Sequence, residues 1–251
     1  MIDPTLGGRM KSYEAVTRSV LLPNSYTVLR VDGRAFHSYL RDAERPFDAA
    51  FITDMGAVGQ ALCKEVSGTT FAYGQSDEIS LLLDDTDQQS QPWFGGVVQK
   101  MASVAAGVAT AALISQRGPD RLPHFDARVF TLPSLYEVAN YFLWRQRDAV
   151  RNSISMAAQA KFSHQQLNRV KTNQMQEMLF QQHGINWNDY PAVQKRGWWV
   201  TRAVRDAPVV YTHKRTGEEI STIAQRTFWD VDAAPDFTFE LLTSLITGVD
   251  E

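Results

Sequence analysis

At 251 residues the chain can bury a full hydrophobic core without disulfide or metal staples. Its 44% apolar and 21% charged residues are ordinary for a folded globular protein and exclude a largely disordered one. The formal net charge of -3 excludes a chain that is basic throughout, so a nucleic-acid partner would have to be held by a local basic patch.

The N-terminal stretch MIDPTLGGRMKSYE has no apolar core and does not read as a signal peptide. YTVLRVD, Tyr26 to Asp32, has the β-branched and aromatic composition of a strand and ends in the turn signal Asp-Gly. From Asp48, a plausible N-cap, Phe51, Met55, Val58, Leu62 and Val66 recur at helical spacing up to the stop at Gly68. Within that helix the lone Cys63 can form neither an internal disulfide nor a zinc cluster and reads as a small buried hydrophobe. A reducing, cytoplasmic compartment fits it. TTFAY and ISLLL follow as short strands joined by a GQSDE tip, which this reading places at the surface.

After the polar DDTDQQSQP comes a long helix from about Trp93 to Gln116. Its most apolar span, Val97 to Ile114, is interrupted by Gln99, Lys100, Ser103 and Thr110, whereas a membrane span needs about 20 predominantly apolar residues, so it reads as a core helix and no membrane is expected. FDARVFTLP is a further strand, ended by Pro133. From Ser134 the pattern turns helical, with a second helix bounded by Ser163 as N-cap and Gly184 as stop. The tail returns to strand-like runs, GWWVTRAV and PVVYTHK.

The order strand, helix, strand, strand, helix, strand is the split βαβ, ferredoxin-like arrangement of an α+β fold. A core over residues 1–133 is followed by a helical and strand extension over 134–251, with only a soft boundary between them. In that topology Asp32, at the end of the first strand, approaches Asp77, in the hairpin tip, at one edge of the sheet.

Two carboxylates converging from different strands beside a backbone carbonyl such as that of Gly33 suit a hard cation with oxygen ligands. Such a pair fits metal-assisted phosphoryl or nucleotidyl transfer, in which two ions about 3.5 to 4 Å apart serve the attacking and leaving oxygens. Singly, Asp77, Glu78 and Asp32 each read as solvated turn residues; the strand order tips the reading toward the metal pair. Between them lies DGRAFHSY, whose Gly33 permits close backbone approach and whose Arg34 and His37 can reach phosphate.

RVDGRAFHSY, FAYGQSDEISLLL and VANYFLWRQRDAVRNSI resemble the tRNA-His guanylyltransferase family, over about Tyr26 to Gly197. FSHQQL, EMLFQQHGINWND and KRGWW are more similar to its bacterial, guanylyltransferase-like members. The resemblance implies a polymerase-like palm, with helices on one face of an antiparallel sheet, that extends the 5′ end of tRNA in the 3′-to-5′ direction. It also implies Mg²⁺ as two ions, ATP and GTP as substrates, tRNA as partner, and a homotetramer. Asp32, Asp77 and the Gly33 carbonyl would hold the metal, with Glu78 assisting. Asp32, Gly33, Arg34, Ala35, Phe36, His37, Ser76 and Asp77 would bind the nucleoside triphosphate. Where eukaryotic members carry HINNLYN this chain has VRNSISM, which keeps Asn152 but lacks the His and the second Asn. That difference favours template-dependent repair of 5′-truncated tRNAs over addition of one G to tRNA-His.

Arg45 in ERPFD matches a family position near the triphosphate and reads equally as a solvated surface residue. Arg145, Arg147, Asp148 and Asn152 match a segment near the tRNA end and incoming nucleotide, against the alternative of helix-surface ion pairs. Arg128 could support phosphate, oriented by Asp126. Lys195, Arg196, Arg202, Arg205, Lys214 and Arg215, interleaved with Trp198, Trp199 and Tyr211, read either as a basic and aromatic RNA patch or as an ordinary strand pair. His124, His164 and His183 have no ligand spacing and read as structural. The competing readings are a nucleotide cyclase on the same palm and an inactive RNA-binding module, the latter disfavoured by the retention of both Asp32 and Asp77.

Overall fold

The computed structural model describes residues 5–86 and 91–248; part of the polar stretch after the hairpin, residues 87–90, lies outside them. The helices are α1 (Leu6–Ala15), α2 (Phe36–Tyr39), α3 (Ala49–Glu65), α4 (Val98–Arg117), α5 (Leu135–Gln159), α6 (His164–Leu167), α7 (Thr172–His183), α8 (Ala192–Arg196) and α9 (Phe239–Thr247). The strands are β1 (Tyr26–Gly33), β2 (Thr69–Gln75), β3 (Glu78–Asp84), β4 (Phe125–Leu132), β5 (Trp198–Thr212) and β6 (Glu219–Ala233).

One six-stranded antiparallel sheet runs in the order β4-β1-β3-β2-β5-β6. Its first four strands have the neighbour order of the split βαβ arrangement, with α3 and α4 as the two crossovers. Alternation along each strand sends Leu29, Val31, Ile79 and Leu81 to the face covered by α3 and α4, where Met55, Leu62, Met101 and Leu113 meet them. Val28, Phe71, Tyr73 and Leu82 point to the other face, covered by Val138, Phe142 and Leu242 of α5 and α9. By length and composition α4 could cross a membrane; here Met101, Ala105, Ala109 and Leu113 lie along one side of it, fully buried in the core.

The helix boundaries follow their signals. Asp48 caps α3 by accepting from the Phe51 amide at 2.7 Å. Ser134 and Ser163 cap α5 and α6, and Gly184 closes α7 in the left-handed conformation. The single helix expected between Ser163 and Gly184 is instead two, because the chain breaks at Asn168 and Arg169, the latter at φ 62°. Nor are the two tail strands a pair: GWWVTRAV and PVVYTHK fall in the one continuous strand β5, whose partner β6 carries no strand signal in the sequence. Pro208 is tolerated there because β5 beyond Val200 has no second neighbour, so the missing amide donor leaves no ladder bond unmade.

β5 pairs with the palm strand β2 through only three residues, Trp198 to Val200, opposite Ala72 to Gly74. The joint is Trp198, 2% exposed, whose indole packs closely against Gly74 and Gly59. A Cβ at Gly59 would stand 2.6 Å from Trp198 Cζ3, and one at Gly74 would overlap the ring outright. Gly74→Ala is therefore expected to destabilise the protein by about 1–3 kcal/mol through overpacking, seen as a lowered midpoint in chemical denaturation. An unchanged midpoint would mean that Trp198 does not join the two parts.

Candidate active site

The register of β1 and β3 sets Asp32 directly opposite Glu78, and that of β1 and β4 sets it opposite Asp126. The tip then folds back over the end of β1, where the Gly33 amide donates to the Asp77 carbonyl at 3.1 Å. A Cβ at Gly33 would stand 2.7 Å from Asp77 Oδ2, so glycine is what lets the Asp77 carboxylate approach the β1 backbone. Asp32 and Asp77 thus meet at one sheet edge, as the strand order requires. Ser76, at φ 49°, turns the chain and donates from Oγ to Asp77 Oδ1 at 3.0 Å. Burial holds the Asp77 carboxyl above the usual carboxylate range, and the nearby charge of Asp32 adds to the shift.

The tip is not the exposed turn expected of it. Gln75 and Glu78 are buried, because Glu78 is the first residue of β3 and its side chain points to the face covered by α5. There Arg145, 4% exposed, donates from Nε and Nη2 to the two Glu78 oxygens at 2.7 Å each. Arg30 reaches Glu78 at 2.7 Å and Asp32 at 2.8 Å from the same Nη2. Burial pushes the Glu78 carboxyl up while the two guanidiniums oppose it. Arg30 was passed over in the sequence; the available signal was a cation at an inward position of an otherwise apolar strand.

The network continues along α5. Arg145 also reaches Asp148 at 3.2 Å, Arg151 pairs with Asp148, and Asn152 Nδ2 lies 3.4 Å from Asp148 Oδ2. Arg147 is exposed on the same helix. Arg128 lies 3.3 Å from Asp126 and 4.0 Å from Asp32. Arg34 and His37 are exposed and make no ion pair among the described residues, whereas Phe36 buries its ring against Tyr39, Phe51 and Phe125. Ala35 between them takes the left-handed conformation, at φ 57°.

Two cavities flank the tip and meet at Gln75, Ser76, Asn152 and Met156. One has largely apolar walls, including Leu40, Phe47, Ile52 and Val193, with Arg45 and Lys195 also at its lining. The other is an open cleft carrying Asp32, Asp77, Arg145 and Asp148. Four of the six tail cations are already engaged, while Lys214 and Arg215 are exposed beyond the end of β5. Arg202 stacks on Trp229 and donates to the Thr69 carbonyl, and Arg205 stacks on Phe228 and pairs with Asp230. Lys195 donates to the Asn188 carbonyl, and Arg196 pairs with Asp236 at 3.2 Å. Trp198, counted among the exposed aromatics of that patch, is core.

Among the described residues no group of three His, Cys, Asp or Glu is disposed to hold a metal ion by itself. With Glu78 taken by two guanidiniums, Asp77 remains together with Asp32, which shares Arg30 with Glu78. A pair of carboxylates fits Mg²⁺, which takes one or two from the protein and fills its other positions with water and substrate phosphate.

The family model described as tRNAHis guanylyltransferase matches residues 7–133. The tRNA(His) guanylyltransferase of Saccharomyces cerevisiae is 30% identical over 217 residues, 78% of this chain and 89% of that protein. A bacterial tRNA(His) guanylyltransferase-like protein solved in complex with ATP is 36% identical, with a TM-score of 0.83 over 96% of this chain and 99% of that one. A structure of such a protein in complex with GTP is 35% identical, with a TM-score of 0.77 over 96% and 98% of the two chains. These matches span the palm, the carboxylate edge and the extension together, and the chain belongs to the tRNA-His guanylyltransferase family of nucleotidyltransferases.

Proposed function

We propose that the protein extends the 5′ end of tRNA in the 3′-to-5′ direction, selecting each nucleotide against the opposite strand, and so repairs 5′-truncated tRNAs. The observation that carries this reading is the meeting of an apolar cavity and an open carboxylate cleft at Gln75 and Ser76, which gives a triphosphate and an RNA end separate seats around one edge. The resemblance to bacterial guanylyltransferase-like proteins solved with ATP and with GTP supports it. So does the VRNSISM segment, without the His and second Asn of the tRNA-His enzymes.

In this reading Asp32, Asp77 and the Gly33 carbonyl would hold two Mg²⁺ ions, with Glu78 assisting. Bound Mg²⁺ supplies charge neutralisation at phosphate and activation of the attacking oxygen. Arg34 and His37 meet the triphosphate from one side, Ser76 from the other and Arg45 from the rim of the apolar cavity. Ala35 and Phe36 shape the turn through the left-handed backbone and the buried ring. Arg128, Arg145, Asp148, Asn152, Lys195 and Arg196 stand farther out. Of these Arg145 acts through Glu78, because its guanidinium is already bound to that carboxylate.

Two displacements follow. The 5′-monophosphate of the RNA attacks the α-phosphate of ATP or GTP and pyrophosphate leaves; the 3′-hydroxyl of the incoming nucleotide then attacks the activated 5′-phosphate and the nucleoside monophosphate leaves. An RNA with a 5′-triphosphate enters at the second step and loses pyrophosphate there. Leu6, Met10 and Tyr13, exposed along one side of α1, are consistent with assembly into a tetramer.

The test supplies Mg²⁺ and labelled GTP with two RNAs: tRNA-His lacking its extra 5′ G, and another tRNA missing its first paired nucleotide, opposite C. Extension of the truncated tRNA is the expected result. Addition confined to tRNA-His would replace repair by the tRNA-His-specific reaction. No addition to either would return the choice to a palm-type cyclase or an inactive RNA-binding module.

A further inference from the structure

We infer that Trp144 is the stacking platform for the terminal base of the RNA strand, an assignment that rests on the nucleotide-adding function proposed above. Trp144 is 54% exposed and lines the open cleft together with Asp32 and Asp77. Of the large aromatics left exposed, which include Tyr13, Tyr136, Phe180 and Tyr211, Trp144 is the one that lines the carboxylate cleft among the described residues.

The ring is held rather than free. The guanidinium of Arg145 lies 4.4 Å from its centroid, and Tyr141 meets it edge-on at 6.0 Å. Arg145 is itself fixed by its two bonds to Glu78, and the Tyr141 hydroxyl by a 2.9 Å bond with Ser80. A rigid, cation-backed aromatic whose other face is open is what base stacking requires, and it accepts any base because every base has a π-face.

Position selects which base. The apolar cavity beyond Gln75 and Ser76 has the aliphatic and aromatic walls that suit the base of the nucleoside triphosphate, and Trp144 is not among them. Trp144 stands in the other cleft, which continues past Asn152 to Ser155 and Gln159 along α5. At a rise of about 1.5 Å per residue, Trp144 to Gln159 covers about 22 Å of helix, room for several nucleotides beside the carboxylates. Four of the tail cations are bound elsewhere in the fold, and Lys214 and Arg215 lie past the end of β5 remote from β2, so the cleft and not the tail is assigned the RNA end.

The experiment measures binding of a labelled RNA hairpin with a recessed 5′ end by fluorescence anisotropy in EDTA, beside the same hairpin with an abasic 5′-terminal nucleotide. Trp144→Ala is expected to weaken binding of the intact hairpin about 10-fold. It leaves the abasic hairpin and ATP affinity unchanged, while Trp144→Phe retains most of the affinity. Equal weakening of both hairpins, no weakening of either, or a loss of ATP affinity in its place overturns the platform. If Trp144→Ala melts at a lower temperature, Trp144→Leu, which keeps an apolar contact to Tyr141 but has no stacking face, is read instead by the same criteria. Failure of the unaltered protein to bind either hairpin would remove the proposed RNA substrate and the platform with it; base-independent binding removes the platform alone.

Discussion

Asp77→Asn is expected to lower nucleotide addition by on the order of 10³-fold or more while leaving the fold intact. The amide keeps the shape and the bond from Ser76 but loses the charge that the reaction needs. The stability effect has a definite sign. Burial raises the Asp77 pKa, so its ionised form is disfavoured in the folded protein, and stability is lost as pH rises through that raised pKa. At neutral pH in EDTA the variant is therefore expected to melt no lower than the unaltered protein. Adding Mg²⁺ should raise the melting temperature of the unaltered protein and not that of the variant. A variant that keeps turnover, or that gains the same stabilisation from Mg²⁺, would remove Asp77 from the metal pair.

The second large effect lies one residue away and has the opposite character. Arg145→Met removes the bidentate partner of a buried carboxylate and leaves Glu78 to Arg30 alone, at an expected cost of about 3–5 kcal/mol. Thermal melting should show a fall of roughly 10 °C for a chain of this size. Adding Glu78→Gln to Arg145→Met is expected to recover part of the loss, because the double variant no longer buries an underpaired charge. If the two losses add without coupling, Glu78 and Arg145 do not act as a pair.

Adjacent carboxylates in one short tip therefore do different work, and the division follows from strand geometry. Asp77 belongs to the turn and faces the cleft, whereas Glu78 begins β3 and follows its period-two alternation toward α5. The approach of Asp32 to Asp77 was legible from the order of elements, since the split βαβ topology puts the end of the first strand beside the hairpin tip. The burial of Glu78 was not, because its two cations come from β1 and from a helix 67 residues further on. Arg145 reads in sequence as one charge among several in WRQRD, and only the helix's seat on the sheet separates it from the exposed Arg147.

The same distinction separates the elements that were found from those that were not. α3, α4 and the first four strands carry strong local patterns, although α4 begins at Val98, after a 3-10 turn over Trp93–Gly96, and not at Trp93. α1 is buried nowhere along its length, and its two glycines and three charged residues mask the short apolar spacing of Leu6, Met10 and Tyr13. β6 is exposed over most of its length, and its polar sequence EISTIAQRT carries little burial pattern. Its pairing with β5 is a long backbone ladder from Trp198 opposite Ala233 to Thr212 opposite Glu219, which no local signal reveals.

The most direct test of the account is templating. A tRNA missing its first paired nucleotide and carrying a 5′-triphosphate, which needs no activation, is supplied with each of the four labelled triphosphates in turn, first with C and then with A as the unpaired opposite base. The account predicts that GTP is incorporated in the first case and UTP in the second. Incorporation of G in both cases would contradict a copying enzyme acting at the Asp32 and Asp77 edge.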